Sequence, residues 1–232
     1  MSFISSIFES QTLFYVNSLT EENYLKALLN LSSETGEVNV KELSSVLGTK
    51  MPTVTSMIQK LARKKLVYYE SYKPPRLTDK GRKDAALIIR KHRLMEMFLV
   101  QKMGFGWEEV HEIAEQIEHI HSPAFFEKMD ALLGYPKIDP HGSPIPDRHG
   151  KMQWQHHPKL IECKPGTSVL FCGIVNSSDD FLRFLNSREL RLGAKIHVLE
   201  VEEFDGSMTV SYDKRKRESF SRTVCERLLI EK

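Results

Sequence analysis

Apolar residues recur at helical spacing through the first two thirds of the chain and at alternating spacing in the last third. Tyr24, Leu25, Leu28, Leu29 and Leu31 share one helical face. Thr20 is the expected N-cap, Glu21 and Glu22 sit in the first turn and Gly36 is the expected stop. A second helix runs from Val40 to a closing Gly48, and a third from Pro52 to Leu61, with proline near its first position. Leu43, Val46, Leu47, Val54, Met57, Ile58 and Leu61 form the apolar seam of this pair, a helix-turn-helix. Leu66 to Ser71 then has strand composition, Lys73-Pro74-Pro75-Arg76 turns the chain and Leu77-Thr78 begins the return, which makes the helix-turn-helix a winged one.

Further helices are expected from Arg82 to Lys102, from about Trp107 to His121 and from Pro123 to Leu133. Gly134 to His157 has little periodicity and reads as a connector. Beyond the Lys164-Pro165-Gly166 turn come a strand from Val169 to Val175, a short helix from Asp179 to Asn186 and a strand from Ile196 to Val201. An Asp205-Gly206 hairpin then leads into Met208 to Tyr212. The fold class is therefore mainly α with a small β-barrel domain, divided at 1–92, 93–155 and 156–232.

Composition agrees with a soluble globular chain: 41% hydrophobic and 28% charged residues. No apolar run is long enough to span a bilayer. The segment Met1 to Leu19 is interrupted by Glu9, Gln11 and Asn17 and lacks a basic start, so a flanking segment is expected rather than a secretion signal. Cys163, Cys172 and Cys225 are odd in number, widely spaced and without a C-x-x-C pair. They suit small core residues in a reducing cytoplasm better than a disulfide framework or a zinc ribbon. The net charge of +2 conceals an asymmetry. Lys41 to His92 holds 13 Lys/Arg against 4 Asp/Glu, whereas Leu94 to Gln155 holds 5 against 10. A basic lobe joined to an acidic, histidine-bearing lobe fits a polyanion binder coupled to a cation binder.

The start of the third helix carries Lys50, Pro52, Thr53, Thr55 and Ser56, residues short and polar enough to enter a major groove. Lys60, Arg63, Lys64 and Lys65 follow, and Lys73 and Arg76 lie on the wing, suited to phosphates. A solvated face of a protein-binding winged helix is the alternative. In the acidic lobe Glu115, Glu118 and His119 converge on one helical face with His111 a turn earlier, and His92 and Glu96 form a second pair one turn apart. Carboxylates with imidazoles and no thiolate suit Mn²⁺, Fe²⁺, Co²⁺ or Zn²⁺ rather than a structural zinc site. Exposed helix pairs of no special role are the alternative here.

The ordered set of a winged helix-turn-helix, Arg90 to Glu96, His111 with Glu115-x-x-Glu118-His119, Asp139-Pro140-His141-Gly142-Ser143-Pro144-Ile145-Pro146 and a C-terminal barrel resembles the diphtheria toxin repressor/manganese transport regulator family of metal-dependent repressors. The likeness covers residues 20–232. It implies a winged helix-turn-helix DNA-binding domain at 1–92, a helical metal-binding and dimerisation domain with connector at 93–155, and an SH3-like domain of the ferrous-iron transport accessory type at 156–232. It also implies a primary site of Glu115, Glu118 and His119, and an ancillary site of His92, Glu96 and His111. Asp180, or Asp179 beside it, is implied as a further ligand from the third domain. Asn23 stands where members carry a first-helix Asp or Met, and Asp139 where some manganese regulators carry Cys, so both are candidate ligands. Lys26 stands where some members have a second-site Glu, and an ammonium does not ligate. Iron-selective members tend to have Cys at the position of Glu115, so the all-oxygen-and-imidazole shell favours Mn²⁺ over Fe²⁺.

The resemblance thus implies a cytoplasmic homodimer that binds palindromic operator DNA when loaded with Mn²⁺ or Fe²⁺ and represses metal-uptake genes. No enzymatic activity, membrane contact or small organic substrate is expected. Pro123, Phe125, Phe126, Met129, Leu132 and Leu133 suit either a dimer surface or a monomer core. Two other readings are a winged-helix regulator sensing a non-metal ligand and a metal-dependent enzyme. The second lacks an H-E-x-x-H pair, a nucleophile motif or a phosphate loop in this sequence.

Overall fold

The computed structural model describes residues 17–35, 37–153, 155–175 and 178–231. The expectations for the first sixteen residues and for Gly36 lie outside these. The chain divides into two compact units, 1–85 and 86–232.

The first unit holds α1 (Leu19–Thr35), α2 (Val40–Val46), α3 (Met51–Arg63), β1 (Val67–Tyr68), β2 (Arg76–Leu77) and the start of α4 (Asp79–Phe98). The cap of α1 is Ser18 rather than Thr20. The Ser18 amide donates to Glu21 Oε2 at 2.7 Å, and the Glu21 amide donates to Ser18 Oγ at 3.4 Å. These reciprocal bonds satisfy two donors that the helix start would otherwise orphan. Asn39 and Glu42 repeat the device at α2, at 2.9 and 3.1 Å. Pro52 lies in the first turn of α3, where its missing amide costs nothing. Leu25, Leu28, Leu43, Val54, Ile58 and Leu61 make the shared core. Val46, expected in that seam, is exposed instead, because α2 ends there and the chain turns through Gly48 at φ +59. The wing is shorter than its composition suggests, with two antiparallel pairs, Val67↔Leu77 and Tyr68↔Arg76. Gly81 holds α4 against the base of the wing: a Cβ there would lie 1.9 Å from the Leu66 carbonyl oxygen.

The second unit continues α4 into a π-helical turn (Leu99–Met103) that stops at left-handed Gly104. Then come α5 (His111–Ile117), α6 (Pro123–Leu132) and a 3₁₀ turn (Leu160–Glu162). A five-stranded antiparallel sheet follows in the order β6-β5-β4-β3-β7. Its strands are β3 (Ser168–Ile174), β4 (Lys195–Val201), β5 (Met208–Tyr212), β6 (Arg215–Phe220) and β7 (Leu228–Glu231), with α7 (Asp179–Ser187) after β3 and α8 (Arg222–Cys225) before β7. Alternate strand residues such as Phe171, Ile196, Val198, Val210, Phe220 and Ile230 point inward to one core. A second core gathers Leu94, Met95, Leu99, Val110, Ala114, Phe126 and Met129. Phe126 and Met129 are thus monomer core, whereas Phe125 and Leu132 of the same helix are exposed. The connector is ordered around residues 137–147, where Ile138 bridges Pro144 and the Ile145 amide donates to the Lys137 carbonyl at 2.8 Å. Cys163 and Cys225 are buried core residues and all three cysteines are free thiols. Burial pushes the Cys172 thiol up to about 11 and the Cys225 thiol up to about 12.

Glu21 ties α1 to α3. Its carboxylate is buried, 2.7 Å from Lys64 Nζ and 3.3 Å from Lys60 Nζ. Burial alone would raise its pKa. The hydrogen bonds from Lys64, the Ser18 amide and Lys60 outweigh burial and hold it below the ordinary 4.5. A depressed carboxylate stabilises the fold above its unfolded pKa, and the contribution is lost as pH falls through the folded value. Glu21→Ala should therefore cost about 1–3 kcal/mol at neutral pH. Chemical denaturation of Glu21→Gln should show a flatter loss of stability below pH 4.5 than the parent chain does.

Candidate metal centre

The second unit brings eight carboxylate and imidazole side chains together from α4, from α5 and the two residues after it, and from the 139–141 loop. Helical spacing puts His92 and Glu96 one above the other on α4, and both are buried. His92 Nε2 lies 3.0 Å from Glu96 Oε1 and 3.2 Å from His111 Nδ1, while its Nδ1 lies 2.5 Å from Glu118 Oε2 and 3.8 Å from Glu115 Oε2. One imidazole therefore faces two separate donor sets. Its ring packs edge-on against that of His111, with centroids 4.9 Å apart. Glu118, with 0% exposure, is the C-cap of α5, which ends one turn sooner than its apolar pattern suggests. His119 lies past that end, its Nε2 3.6 Å from Glu118 Oε1.

The third contributor is a loop. The Asp139 amide donates to the Ser143 carbonyl, and Asp139 Oδ1 accepts from the amides of His141 and Ser143 at 2.8 and 2.9 Å. This side-chain turn points the loop back at α4. His141 Nδ1 then lies 3.7 Å from Glu96 Oε2, and Asp139 Oδ2 lies 3.3 Å from Arg93 Nε. Arg93 also donates to the Pro144 carbonyl, which pins the far side of the loop to the same helix.

Among the described residues, three groups have ligand atoms all within 4.8 Å of one another: His92/Glu96/His111, His92/Glu115/Glu118 and Glu96/Asp139/His141. Every donor is a carboxylate oxygen or an imidazole nitrogen, a set that fits a divalent ion of the manganese-to-zinc series. Glu96, Glu118 and Asp139 are buried together, which is costly without positive charge close by. Burial alone would raise the Glu96 pKa, yet hydrogen bonds from His111, His141 and His92 hold it well below the ordinary value. Asp139 goes the other way: burial and Glu96 outweigh Arg93 and raise its carboxyl. Two neighbouring carboxyls pushed apart in this manner compete for the same positive charge.

Of the expected ligands, the fold gathers His92, Glu96, His111, Glu115, Glu118 and Asp139 into these groups, with His119 beside them. Asp180 is elsewhere: its side chain is 97% exposed on α7 and paired with Arg183, which also reaches Asp179. Asn23 belongs to α1 of the first unit, with its Oδ1 buried and no hydrogen-bond partner among the described residues. His141 was not among the expected ligands, although it stands two residues from Asp139 in the sequence. Only a fold that returns the loop to α4 reveals it.

In the first unit, Pro52, Thr53, Ser56, Lys60 and Arg63 line the exposed side of α3, opposite buried Val54, Ile58 and Leu61, and Lys50 precedes them. Thr55 spends its hydroxyl on the Met51 carbonyl at 3.0 Å. Lys73 and Arg76 on the wing pair with Glu70 and Glu37 at 2.5 and 3.2 Å, exposed contacts that a phosphate would readily replace.

The fold and site together define a winged-helix protein that carries a buried carboxylate–imidazole cluster and a small antiparallel barrel. Residues 18–74 match the family model of the iron dependent repressor N-terminal DNA binding domain, and 78–147 match its metal binding and dimerisation domain. Residues 159–232 match the FeoA domain. The chain is 34% identical over 127 residues to the iron-dependent repressor IdeR of Mycobacterium tuberculosis, 55% of each protein's length, so it spans about half of that relative. It is 32% identical over 114 residues to the transcriptional regulator MntR of Geobacillus kaustophilus, covering 49% of this chain and 80% of the relative. Among solved structures, a manganese-dependent transcriptional repressor in complex with manganese matches at TM-score 0.82 and 31% identity, covering 90% of this chain and 98% of that one. ScaR with bound Zn²⁺ matches at TM-score 0.75 and 32% identity, covering 91% and 99%. The chain belongs to the iron-dependent repressor family of metal-dependent transcriptional repressors, with a C-terminal FeoA domain of SH3-like build.

Because His92 serves two of the three groups, its loss should cost more than that of a donor serving one. Equilibrium dialysis of His92→Ala against Co²⁺ should show fewer ions retained than Glu115→Ala does. Equal retention would mean that His92 is a hydrogen-bond partner of the ligands and not itself a ligand.

Proposed function

We propose that this chain is a cytoplasmic, homodimeric repressor that binds palindromic operator DNA when loaded with Mn²⁺, with Fe²⁺ the next-best ion. The observation that carries the reading is the set of three overlapping donor groups around His92 and Glu96, built wholly from oxygen and imidazole. Glu115 in place of a thiolate makes that set harder, which favours Mn²⁺. His92, Glu96, His111, Glu115, Glu118, Asp139 and His141 would hold the ion, with His119 beside them. A bound ion supplies the positive charge that the buried carboxylates require.

The chain's own residues account for the DNA-binding half. Lys50, Pro52, Thr53 and Ser56 would read bases from the start of α3, while Lys60, Arg63, Lys73 and Arg76 would hold phosphates. The capped start of α1 and the Glu21 ion pairs set the angle at which α3 is presented. A metal that favours the DNA-competent arrangement shifts the population toward it in proportion to its differential affinity for the two arrangements. Exposed Phe125 and Leu132 on α6 would lie in the dimer contact. We read the chain as a regulator rather than an enzyme because Glu96, Asp139 and His141 are all buried. A closed shell suits an ion that holds elements together, whereas catalysis needs an open coordination position.

The test is fluorescence anisotropy of a labelled palindromic duplex library, with chelator and then with Mn²⁺ restored. Metal-dependent, reversible binding is expected, and Glu118→Ala should abolish the metal response. Metal-independent binding would favour a regulator that senses another ligand. Arg63→Ala should weaken all duplexes alike and lower the slope of log affinity against log salt by about one.

A further inference from the structure

The barrel has a structural task at the metal centre. Two of the three donors in the Glu96/Asp139/His141 group come from one short loop, and that loop lies against β3. The Ile174 amide donates to the His141 carbonyl at 3.0 Å. The next residue, Gly142, sits at φ +88, and a Cβ there would fall 2.2 Å from the Cys172 carbonyl oxygen and 2.5 Å from Gly173 Cα. This approach occurs where β3 shifts register against β7, between Phe171 and Gly173. An irregular strand thus presents its backbone to the loop in a way that a flat one would not.

Trp107 meets the same histidine from the other side. Its indole stacks on the His141 ring, with centroids 6.1 Å apart and planes 15° from parallel. Its carbonyl oxygen lies 2.9 Å from His141 Nε2. A carbonyl only accepts, so Nε2 keeps its proton, and Nδ1, the atom facing Glu96, is the nitrogen that would bind an ion in place of any proton it shares with Glu96. The indole N–H in turn donates to Asn186 Oδ1 on α7 at 2.7 Å, and the ring packs on the barrel core. The π-helical turn that extends α4 stops at left-handed Gly104, three residues before Trp107.

We propose that Trp107 and Gly142 are positioning residues which hold His141 in its ligating pose through the barrel, so that metal at Glu96/Asp139/His141 and seating of the barrel strengthen each other. The inference rests on the metal-responsive reading above and gives the barrel a role in it. Coupling of this kind is reciprocal: metal should tighten β3 against the loop by the same factor by which a seated barrel raises metal affinity.

Two measurements on the full chain test it. In wild-type protein, hydrogen exchange followed by mass spectrometry on the peptide holding Ile174 should slow at saturating Mn²⁺, and Asp139→Ala should remove that slowing. In a Trp154→Phe background, which leaves Trp107 as the single tryptophan, Mn²⁺ should quench Trp107 emission. Adding Gly142→Ala, which removes no donor, should raise the Mn²⁺ midpoint about 10–100-fold. An unshifted midpoint in folded Gly142→Ala protein would overturn the proposal, as would unchanged exchange at Ile174 while Mn²⁺ still switches DNA binding on. If Gly142→Ala does not fold, the wild-type exchange result decides alone. Mn²⁺ that slows exchange at Ile174 yet leaves DNA binding unaltered would support the coupling and sink the repressor reading instead.

Discussion

Three buried carboxylates strung together by shared imidazoles set the terms for the second unit. Glu96, Glu118 and Asp139 are packed among imidazoles, and the Arg93 guanidinium lies beside Asp139 and Glu96. Burial lowers the Arg93 pKa, and Asp139 and Glu96 oppose that shift, so even this cation is held by its neighbours. Negative charge removed from water is tolerated only where positive charge or hydrogen bonds replace the lost solvation. α4, α5 and the 139–141 loop therefore cannot take their places independently. Each supplies either a carboxylate or a group that makes a carboxylate bearable, and under the proposed function a divalent ion would complete the balance.

The DNA-binding half shows the same economy on a smaller scale. Glu21 caps α1 through Ser18 and reaches Lys60 and Lys64 on α3, so one side chain both starts a helix and aims another. Arg63, Lys73 and Arg76 have open or exposed surroundings, where a phosphate competes easily with the ion pairs. Rigid positioning in the core and loosely held charge at the rim suit a surface whose affinity is electrostatic and whose specificity comes from a few short side chains.

Much of this was legible in the chain because it is local. His92 with Glu96, and Glu115 with Glu118, follow helical spacing, and the paired helices of the first unit announce themselves by apolar period, Pro52 and Gly48. What escaped depends on tertiary return. His141 carries no periodic signal, and it reaches α4 through tertiary contacts: the Asp139 turn, the Arg93 bonds and the backing of Trp107 and β3. Ser18 displaced Thr20 as cap because Glu21, three residues on, completes the reciprocal bond. The β6 strand, Arg-Lys-Arg-Glu-Ser-Phe, is almost wholly polar, since it is an edge strand with Glu218 and Phe220 as its inward residues. Asp180 fell on the outward face of α7, where Phe181, Leu182 and Leu185 claim the inward one.

The central claim is that the carboxylate–imidazole centre and the winged helix-turn-helix are thermodynamically linked. It is tested most directly by measuring the Mn²⁺ binding isotherm twice, with and without saturating operator duplex. A shift of the midpoint to lower Mn²⁺ in the presence of DNA, by the same factor by which Mn²⁺ tightens DNA binding, is the expected result. Superimposable isotherms would contradict it, leaving a metal-binding protein and a DNA-binding protein that happen to share one chain.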